Sequence, residues 1–149
     1  MKVSIVIPVY NERELFPLLL KKIGGVPLSI EREIIAVDDA STDGSREMLK
    51  TMPGIKALFH EKNKGKGAAL RTGFAAATGD IILVQDADLE YNPNDYPALL
   101  EPIIRGDVDV VYGSRFLNSQ NRYLTLSYYA NKFLTFLTQC LTSLPVTDM

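Results

Sequence analysis

Short runs of apolar, mostly β-branched residues alternate along this chain with longer segments of helical periodicity. Such runs are typical of strands that are buried on both faces, because they contain few polar residues. Strands that alternate with helices predict an α/β fold with a mostly parallel sheet and helices on both faces. The expected strands are 3–7, 33–37, 55–59, 81–85 and 108–112, and the expected helical segments are 12–23, 41–50, 63–77, 97–105 and 123–144.

Length and charge narrow the class of protein further. A chain of 149 residues predicts one domain, 1–149, with a substantial core. Its 16 Lys and Arg against 18 Asp and Glu disfavour a nucleic-acid-binding surface, which normally carries a basic excess. The single cysteine, Cys140, has no partner for an internal disulfide, which indicates a reducing, cytoplasmic environment. No apolar run approaches the roughly 18 residues that span a bilayer.

The ends of the strands carry the polar residues that matter most. Three strands run into segments that bear carboxylates, "PVYNE", "DDASTD" and "DADLE". In open α/β sheets, ligands bind beyond the carboxyl ends of the strands. Because parallel strands end at the same edge, the sequence predicts one binding site at that edge.

The acidic cluster in "IILVQDADLEY" predicts a metal site. Asp86 and Asp88 are two positions apart, so in an extended segment their side chains share a face. Carboxylates that converge at a strand end suit Mg²⁺ or Mn²⁺, which prefer oxygen ligands and complete their shell with water and phosphates. A solvated acidic turn is the alternative. A metal here would serve nucleotidyl, phosphoryl or glycosyl transfer equally well.

The first two strand ends offer contacts for a nucleotide. Asp39 can accept hydrogen bonds from a base or a sugar, while Pro8 and Tyr10 present flat surfaces. The string from Asp38 to Asp43 also fits a helix-capping turn, with Asp43 as the N-cap of the following helix.

Five motifs together resemble the family 2 glycosyltransferases of GT-A fold. They are "VSIVIPVYNE", "IIAVDDASTDGS", "NKGKGAALRTGF", "GDIILVQDADLEY" and "VVYGSR", and they cover most of the chain in order. Their order and spacing are similar to the branch of dolichyl-phosphate mannosyltransferases and bacterial polyprenyl-phosphate glycosyltransferases.

The resemblance implies a set of roles for individual residues. Asp86 and Asp88 would hold the metal and the sugar diphosphate, with Glu90 as a third ligand and Asp88 central to catalysis. Arg115 would position the phosphate of the acceptor, although a surface arginine after a strand is the other reading. The nucleotide-sugar contacts implied are Pro8, Tyr10, Glu12, Val37, Asp39, Asp86 and Ala87.

Three further segments keep alternative readings. The glycines of "NKGKG" either present N–H groups to an anion or serve a turn with positive φ, with Lys64 and Lys66 solvated. His60, the only histidine, is expected at the surface. The apolar stripe of helix 123–144 suits core packing, a homo-oligomer interface or peripheral contact with the cytoplasmic face of a membrane.

The function expected from the resemblance is inverting sugar transfer from a donor of the GDP-mannose or UDP-glucose type to a polyprenyl phosphate. A phosphate acceptor is already a nucleophile, so it needs no general base, and the chain shows no convincing base. Transfer to a saccharide hydroxyl and a non-catalytic nucleotide-sugar-binding module are the alternatives. The chain stops without a polar tail shortly after the helix-breaking Pro145, and we therefore expect a catalytic core that continues beyond Met149.

Overall fold

The computed structural model describes residues 1–113 of the 149-residue chain. The chain divides into two compact units, Met1–Pro97 and Ala98–Met149. Helix 123–144, Cys140 and Arg115 of the sequence predictions lie outside the described residues, and the single-domain organisation stays a prediction.

A four-stranded parallel sheet forms the centre of the first unit. Its strands stand in the order β3-β2-β1-β4, with Ile5 of β1 aligned with Ile34 of β2 on one side and Leu83 of β4 on the other. This arrangement confirms the predicted α/β class. The strands are β1 (Lys2–Val9), β2 (Glu31–Asp38), β3 (Lys56–Phe59) and β4 (Ile81–Val84).

Each strand is followed by a helix where the sequence predicts one. Pro17 falls in the first turn of α1, the position where a missing N–H costs nothing. Phe16, Leu19 and Ile23 of α1 are buried on one helical face, whereas Leu18 is 52% exposed. The helices are α1 (Leu15–Gly25), α2 (Ser45–Thr51), α3 (Lys66–Ala76) and α4 (Tyr96–Ile104), the last preceded by a 3₁₀ turn at Pro93–Asp95.

Helix α3 packs very closely against the sheet. A Cβ atom on Gly73 would lie 2.3 Å from Cγ1 of Val6, so only glycine fits at this contact. Val6, Val37 and Ala69 belong to the core cluster on this face. Ile5 and Ile7 point to the opposite face by strand alternation and are fully buried as well. Both faces of β1 are therefore covered.

The strand order creates a topological switch point between β1 and β4. From β1 the chain moves outward through β2 to β3, and it then crosses back to place β4 on the other side of β1. In α/β sheets the crevice at such a point is the usual ligand site. The fold thus predicts a ligand site at the carboxyl ends of β1 and β4.

Two strand predictions differ from the structure. Ile82 and Val84 of β4 are 44% and 45% exposed, so β4 is covered on one face and not on both. Segment 108–112 forms no strand within residues 1–113, and Val110 and Tyr112 are exposed. An apolar run becomes a strand only when a neighbouring strand pairs with its backbone, and the described residues supply none.

In the second unit, the described part comprises α4 from Ala98 onward and the coil that follows it. Glu101 and Arg105 form an ion pair one helical turn apart. Among all the helices of residues 1–113, none has the length and apolar character needed to cross a membrane.

Candidate functional site

A cavity of about 370 Å³ lies at the carboxyl ends of β1, β2 and β4, in the first unit. It includes the switch point between β1 and β4, where the fold predicts a ligand. The loops that follow all four strands and the first turn of α3 contribute to its walls. The lining residues are Pro8, Val9, Tyr10, Glu12, Asp39, Asn63, Gly65, Lys66, Ala69, Asp86, Ala87 and Asp88.

The loop after β1 is fastened to the loop after β2. The N–H of Asn11 donates to Oγ of Ser41 at 2.9 Å, and Oδ1 of Asn11 accepts from the N–H of Thr42 at 2.8 Å. The N–H of Glu12 donates to Oγ of Ser45 at 2.9 Å. These bonds hold Tyr10 and Glu12 at the cavity wall.

Asp43 joins the same two loops and is not the N-cap of α2. The N-cap is Gly44, with φ +95°, and no side chain caps it. Asp43 instead accepts from the N–H and the hydroxyl of Ser45 and from the N–H of Arg13. The predicted capping role is therefore wrong by one position, because the left-handed Gly44 separates Asp43 from the helix.

Asp39 is the most firmly held carboxylate of the cavity and is only 3% exposed. It accepts from the N–H of Lys64 at 2.9 Å, from the N–H of Gly65 at 2.7 Å and from His60. Burial acts to raise the pKa of Asp39, but the hydrogen bonds from His60 and the two N–H groups outweigh it, and the pKa lies below 3.8. Asp39 is therefore ionised at neutral pH.

His60 is buried beneath Asp39, and the prediction of a surface histidine is wrong. Its Nδ1 lies 2.7 Å from Oδ1 of Asp39, and its Nε2 lies 2.9 Å from Oγ1 of Thr72. An ionised carboxylate only accepts, so Nδ1 carries the proton that it shares with Asp39. Sequence reasoning missed this pair because the two residues are 21 positions apart and belong to different strand ends.

The neighbouring Asp38 points away from the cavity. It is fully buried, accepts from the N–H of Ser41 at 3.2 Å and lies 3.4 Å from Nη1 of Arg46. Arg46 also donates to the carbonyl of His60 and stacks over the ring of Phe59. Asp38 therefore joins β2 to α2 and β3, while Asp39 serves the cavity.

The Asp86–Asp88 turn is supported from below by a buried amide. Nε2 of Gln85 donates to the carbonyl of Asp86 at 2.9 Å, and Oε1 of Gln85 accepts from the hydroxyl of Tyr96 at 2.8 Å. Gln85 and Tyr96 are 1% and 2% exposed, and burial raises the pKa of Tyr96 well above its ordinary value. These hydrogen bonds fix the turn to the start of α4, and the hydroxyl of Tyr96 keeps the proton that it donates.

Lys66 is the cation that meets this acidic turn. Its Nζ lies 2.7 Å from both carboxylate oxygens of Asp86. The expectation that Lys66 is merely solvated is therefore wrong, whereas Lys64 is exposed as expected. Gly65 has φ +86°, which confirms the reading of the loop as one that needs glycine, and its N–H is bonded to Asp39.

Glu12 faces Asp88 across the cavity. Burial raises the pKa of Glu12, and the nearby carboxylates of Asp88 and Asp43 raise it further. Like charges at such a site favour either protonation or the arrival of a cation.

The carboxylates fit a divalent ion held jointly with a ligand. The described residues contain no group of three His, Cys, Asp or Glu side chains arranged to enclose a metal. Asp86 and Asp88 nevertheless line one cavity, and Lys66 shows that Asp86 attracts positive charge. Mg²⁺ commonly takes one or two carboxylates and completes its shell with water and substrate phosphates, so this donor set suits it.

The expected role of Glu90 as a third ligand stays a prediction. Its side chain is not part of the cavity lining, and its N–H donates to Oδ1 of Asp88 at 3.0 Å. Leu89 has φ +65° and turns the backbone. The extended segment assumed for Asp86 and Asp88 therefore does not continue to Glu90, which only the resemblance implied as a ligand.

Left-handed backbone marks the loops around the cavity. Among the described residues other than glycine, φ is positive at Asn11, Ala40 and Leu89. These residues follow β1, β2 and β4 respectively, next to Tyr10, Asp39 and Asp88. Alanine and leucine adopt this conformation at a cost, and such strain concentrates at functional sites.

Val37 is placed differently from the other expected nucleotide contacts. Its side chain is fully buried in the core cluster with Val6, Ile35 and Ala69, so it does not line the cavity. As a β2 residue one step from the strand end, it points into the face that α3 covers. The expected nucleotide contacts that do line the cavity are Pro8, Tyr10, Glu12, Asp39, Asp86 and Ala87, and the expected metal ligand Asp88 lines it too.

Residues 4–148 match the family described as Glycosyl transferase family 2. Among curated proteins, the chain is 38% identical over 120 residues to a dolichol-phosphate mannosyltransferase of Pyrococcus furiosus, covering 78% of this chain and 34% of that protein. It is 38% identical over 143 residues to an undecaprenyl-phosphate 4-deoxy-4-formamido-L-arabinose transferase of Proteus mirabilis, covering 90% and 43%. The chain thus spans well under half the length of these relatives.

A solved structure shares the fold. A mannosyltransferase of Pyrobaculum calidifontis, determined in complex with GDP-Man and Mn²⁺, is 33% identical with a TM-score of 0.52. The match covers 64% of this chain and 30% of that one.

Proposed function

Because the chain belongs to glycosyl transferase family 2 and has its GT-A fold, we propose that it binds a nucleoside diphosphate sugar in the cavity and transfers the sugar to a polyprenyl phosphate. One observation carries this proposal: the fixed carboxylate of Asp39 and the acidic turn of Asp86 and Asp88 line one cavity at the sheet's switch point. The relatives named above, a dolichol-phosphate and an undecaprenyl-phosphate transferase, support the acceptor class.

Asp39 is suited to recognise the nucleoside. A carboxylate has about four lone-pair directions. In Asp39 most of them are taken by His60 and by the N–H groups of Lys64 and Gly65. The remaining capacity accepts one hydrogen bond from a base N–H or a ribose hydroxyl, and the surrounding bonds fix its direction. Tyr10, which is 49% exposed, offers its ring as a surface for the base.

Asp86 and Asp88 are the residues that would hold a divalent ion. When bound, Mg²⁺ or Mn²⁺ supplies positive charge that neutralises the diphosphate as it leaves. The chain's own contribution is geometric. Gln85 and Tyr96 keep the turn in place, so the carboxylates need no rearrangement to meet the donor.

Arg115 would position the phosphate of the acceptor. A guanidinium can bind a phosphate through two parallel hydrogen bonds, and it remains charged at every physiological pH. A phosphate acceptor attacks without losing a proton to a base. Inversion at the anomeric carbon follows from a single displacement of this kind.

The test is a transfer assay with radiolabelled GDP-mannose or UDP-glucose, Mn²⁺ and a short polyprenyl phosphate in detergent micelles. We expect label in the lipid fraction, and we expect Arg115→Gln to lower that transfer without weakening donor binding. Label that moves to an added saccharide instead would replace the proposed acceptor. Donor binding without any transfer would make the chain a nucleotide-sugar-binding module.

A further inference from the structure

Lys66 is not among the expected binding residues, yet it forms an ion pair with Asp86. Asp86 is 17% exposed in its side chain, whereas the side chain of Lys66 is 59% exposed. The carboxylate is thus held within the cavity wall, and the ammonium reaches it from the solvent side on a flexible stem. Only the lysine is free to move when something else approaches Asp86.

The charge of the cavity makes such a movement necessary. Among the described residues, its lining includes the four carboxyl groups of Glu12, Asp39, Asp86 and Asp88, against the one ammonium of Lys66. A diphosphate brings further negative charge and would be repelled from this wall. A further cation therefore has to bind together with the diphosphate, and Lys66 has to stay within reach of that diphosphate.

A divalent ion and Lys66 compete for the same atoms. The ammonium contacts both oxygens of Asp86 at 2.7 Å, the atoms that a metal on this carboxylate would use. Two cations sharing these atoms would also repel each other. Binding of a metal at Asp86 therefore requires Lys66 to leave.

We propose that Lys66 is an exchangeable cation: it neutralises Asp86 before loading and moves to the diphosphate of the donor when a divalent ion takes the carboxylate. This inference rests on the proposed function. Lys66 is the first residue of α3, and its side chain lines the same cavity as Asp88. A lysine suits the exchange because its stem is flexible and its three donors rotate.

The proposal predicts effects of opposite sign from one substitution. In Lys66→Gln, Asp86 loses its competing cation, so we expect Mn²⁺ alone to bind about threefold more tightly, the scale of one exposed ion pair. The donor loses a charged contact, so we expect the sugar nucleotide with saturating Mn²⁺ to bind about tenfold more weakly. A residue that only stabilises the fold would not move the two affinities in opposite directions.

The experiment measures both affinities on the full 149-residue chain. Mn²⁺ binding without donor is followed by the electron paramagnetic resonance signal of the free ion. Donor binding is measured by calorimetric titration of GDP-mannose and UDP-glucose at saturating Mn²⁺. Lys64→Gln is the matched control, because Lys64 is exposed in the same loop and contributes its backbone N–H to Asp39. Lys66→Arg keeps the charge, and we expect it to stay near wild type in both measurements.

Each outcome decides one half of the proposal. Unchanged or weaker Mn²⁺ binding in Lys66→Gln would overturn the competition, and unchanged donor binding would overturn the transfer to the diphosphate. If the wild-type chain binds neither donor, the proposed function is contradicted, and so is the movement of Lys66 to the diphosphate of the donor. The Mn²⁺ measurement needs no donor, so it still decides whether Lys66 competes for Asp86.

Discussion

Nδ1 of His60 lies 2.7 Å from Oδ1 of Asp39, and both side chains are almost completely buried. The histidine sits at the end of β3 and the carboxylate at the end of β2. The ring is held from its other side by the hydroxyl of Thr72 on α3. This chain of contacts connects the body of the fold to the one carboxylate that the proposed function assigns to the nucleoside.

Replacing His60 should therefore weaken both folding and donor binding. In His60→Ala, Asp39 loses a buried hydrogen-bond partner, so we expect the free energy of unfolding to fall by about 1–3 kcal/mol. We expect donor affinity to fall about tenfold because the carboxylate is less well oriented. Urea unfolding and calorimetric titration measure the two effects. Glu61→Gln, at an exposed neighbouring position, should leave both unchanged. Donor affinity equal to wild type in His60→Ala would show that Asp39 needs no such support.

The two glycines that begin the α3 segment should respond to alanine in opposite ways. Gly65 has φ +86° and ψ 160°, a region that is essentially restricted to glycine, so Gly65→Ala should cost about 1–3 kcal/mol. Gly67 lies inside α3, and a Cβ there meets no atom within 4 Å. Gly67→Ala should therefore stabilise the chain by about 0.5–1 kcal/mol. Thermal and urea unfolding measure both variants, and shifts of the same sign would contradict this account of the loop.

The support of the acidic turn can be tested at Tyr96. Tyr96→Phe removes the hydroxyl that donates to the buried Oε1 of Gln85, which we expect to cost about 1–2 kcal/mol of unfolding free energy. Because Gln85 also holds the carbonyl of Asp86, Mn²⁺-dependent donor binding should weaken as well. Tyr112→Phe, at an exposed tyrosine, is the matched control. Lost stability with unchanged donor binding would show that the turn keeps its shape without this bond.

Glu33 lies at the edge of the sheet opposite the cavity. Its carboxylate predicts that the free energy of unfolding falls at acid pH. The hydroxyl of Ser4 contributes most to lowering the pKa of Glu33 to about 2, and the ammonium of Lys2 and the N–H and hydroxyl of Thr78 add to it, against the effect of burial. A carboxylate with a lowered pKa stabilises the fold above its ordinary pKa of 4.5, and this contribution is lost as the pH falls toward 2.

Glu33→Gln tests that contribution. We expect it to cost about 1–2 kcal/mol at pH 7, since it removes the charge from these hydrogen bonds. The difference from wild type should shrink as the pH falls below 4.5, and urea unfolding across this range measures it. Glu31→Gln, on an exposed residue of the same strand, should show no such convergence. A difference that stays constant with pH would mean that the charge of Glu33 is not what stabilises the edge.

The sheet was predicted well because each of its strands can be recognised from a local sequence pattern. An apolar run such as Val3 to Ile7 needs no knowledge of its neighbours to be recognised. The prediction of a strand at 108–112 was wrong because a strand needs a neighbouring strand to pair with, and a local sequence pattern does not show whether one is present. Val37 was implied as a nucleotide contact by the resemblance, but its side chain lies in the core cluster.

The parts of the site that sequence reasoning missed are contacts between distant segments. Asp39, Asp86 and Asp88 were found because carboxylates at the ends of parallel strands converge by geometry. His60 and Lys66 were missed, since their partners are 21 and 20 positions away and follow from how β3 and α3 pack. The resemblance alone implied Glu90 as a ligand, which stays a prediction, and nothing in the letters "DADLE" indicates that Leu89 turns the chain.

In the proposed function, Asp86 and Asp88 bind the diphosphate of a sugar nucleotide through a divalent ion. Calorimetric titration of GDP-mannose and UDP-glucose, with and without Mn²⁺, tests it most directly in the wild type and in Asp88→Asn. Asp95→Asn is the matched control, because Asp95 is exposed and does not line the cavity. We expect one donor to bind only with Mn²⁺, Asp88→Asn to abolish this binding and Asp95→Asn to retain it. Donor binding that is indifferent to both Mn²⁺ and Asp88 would contradict it.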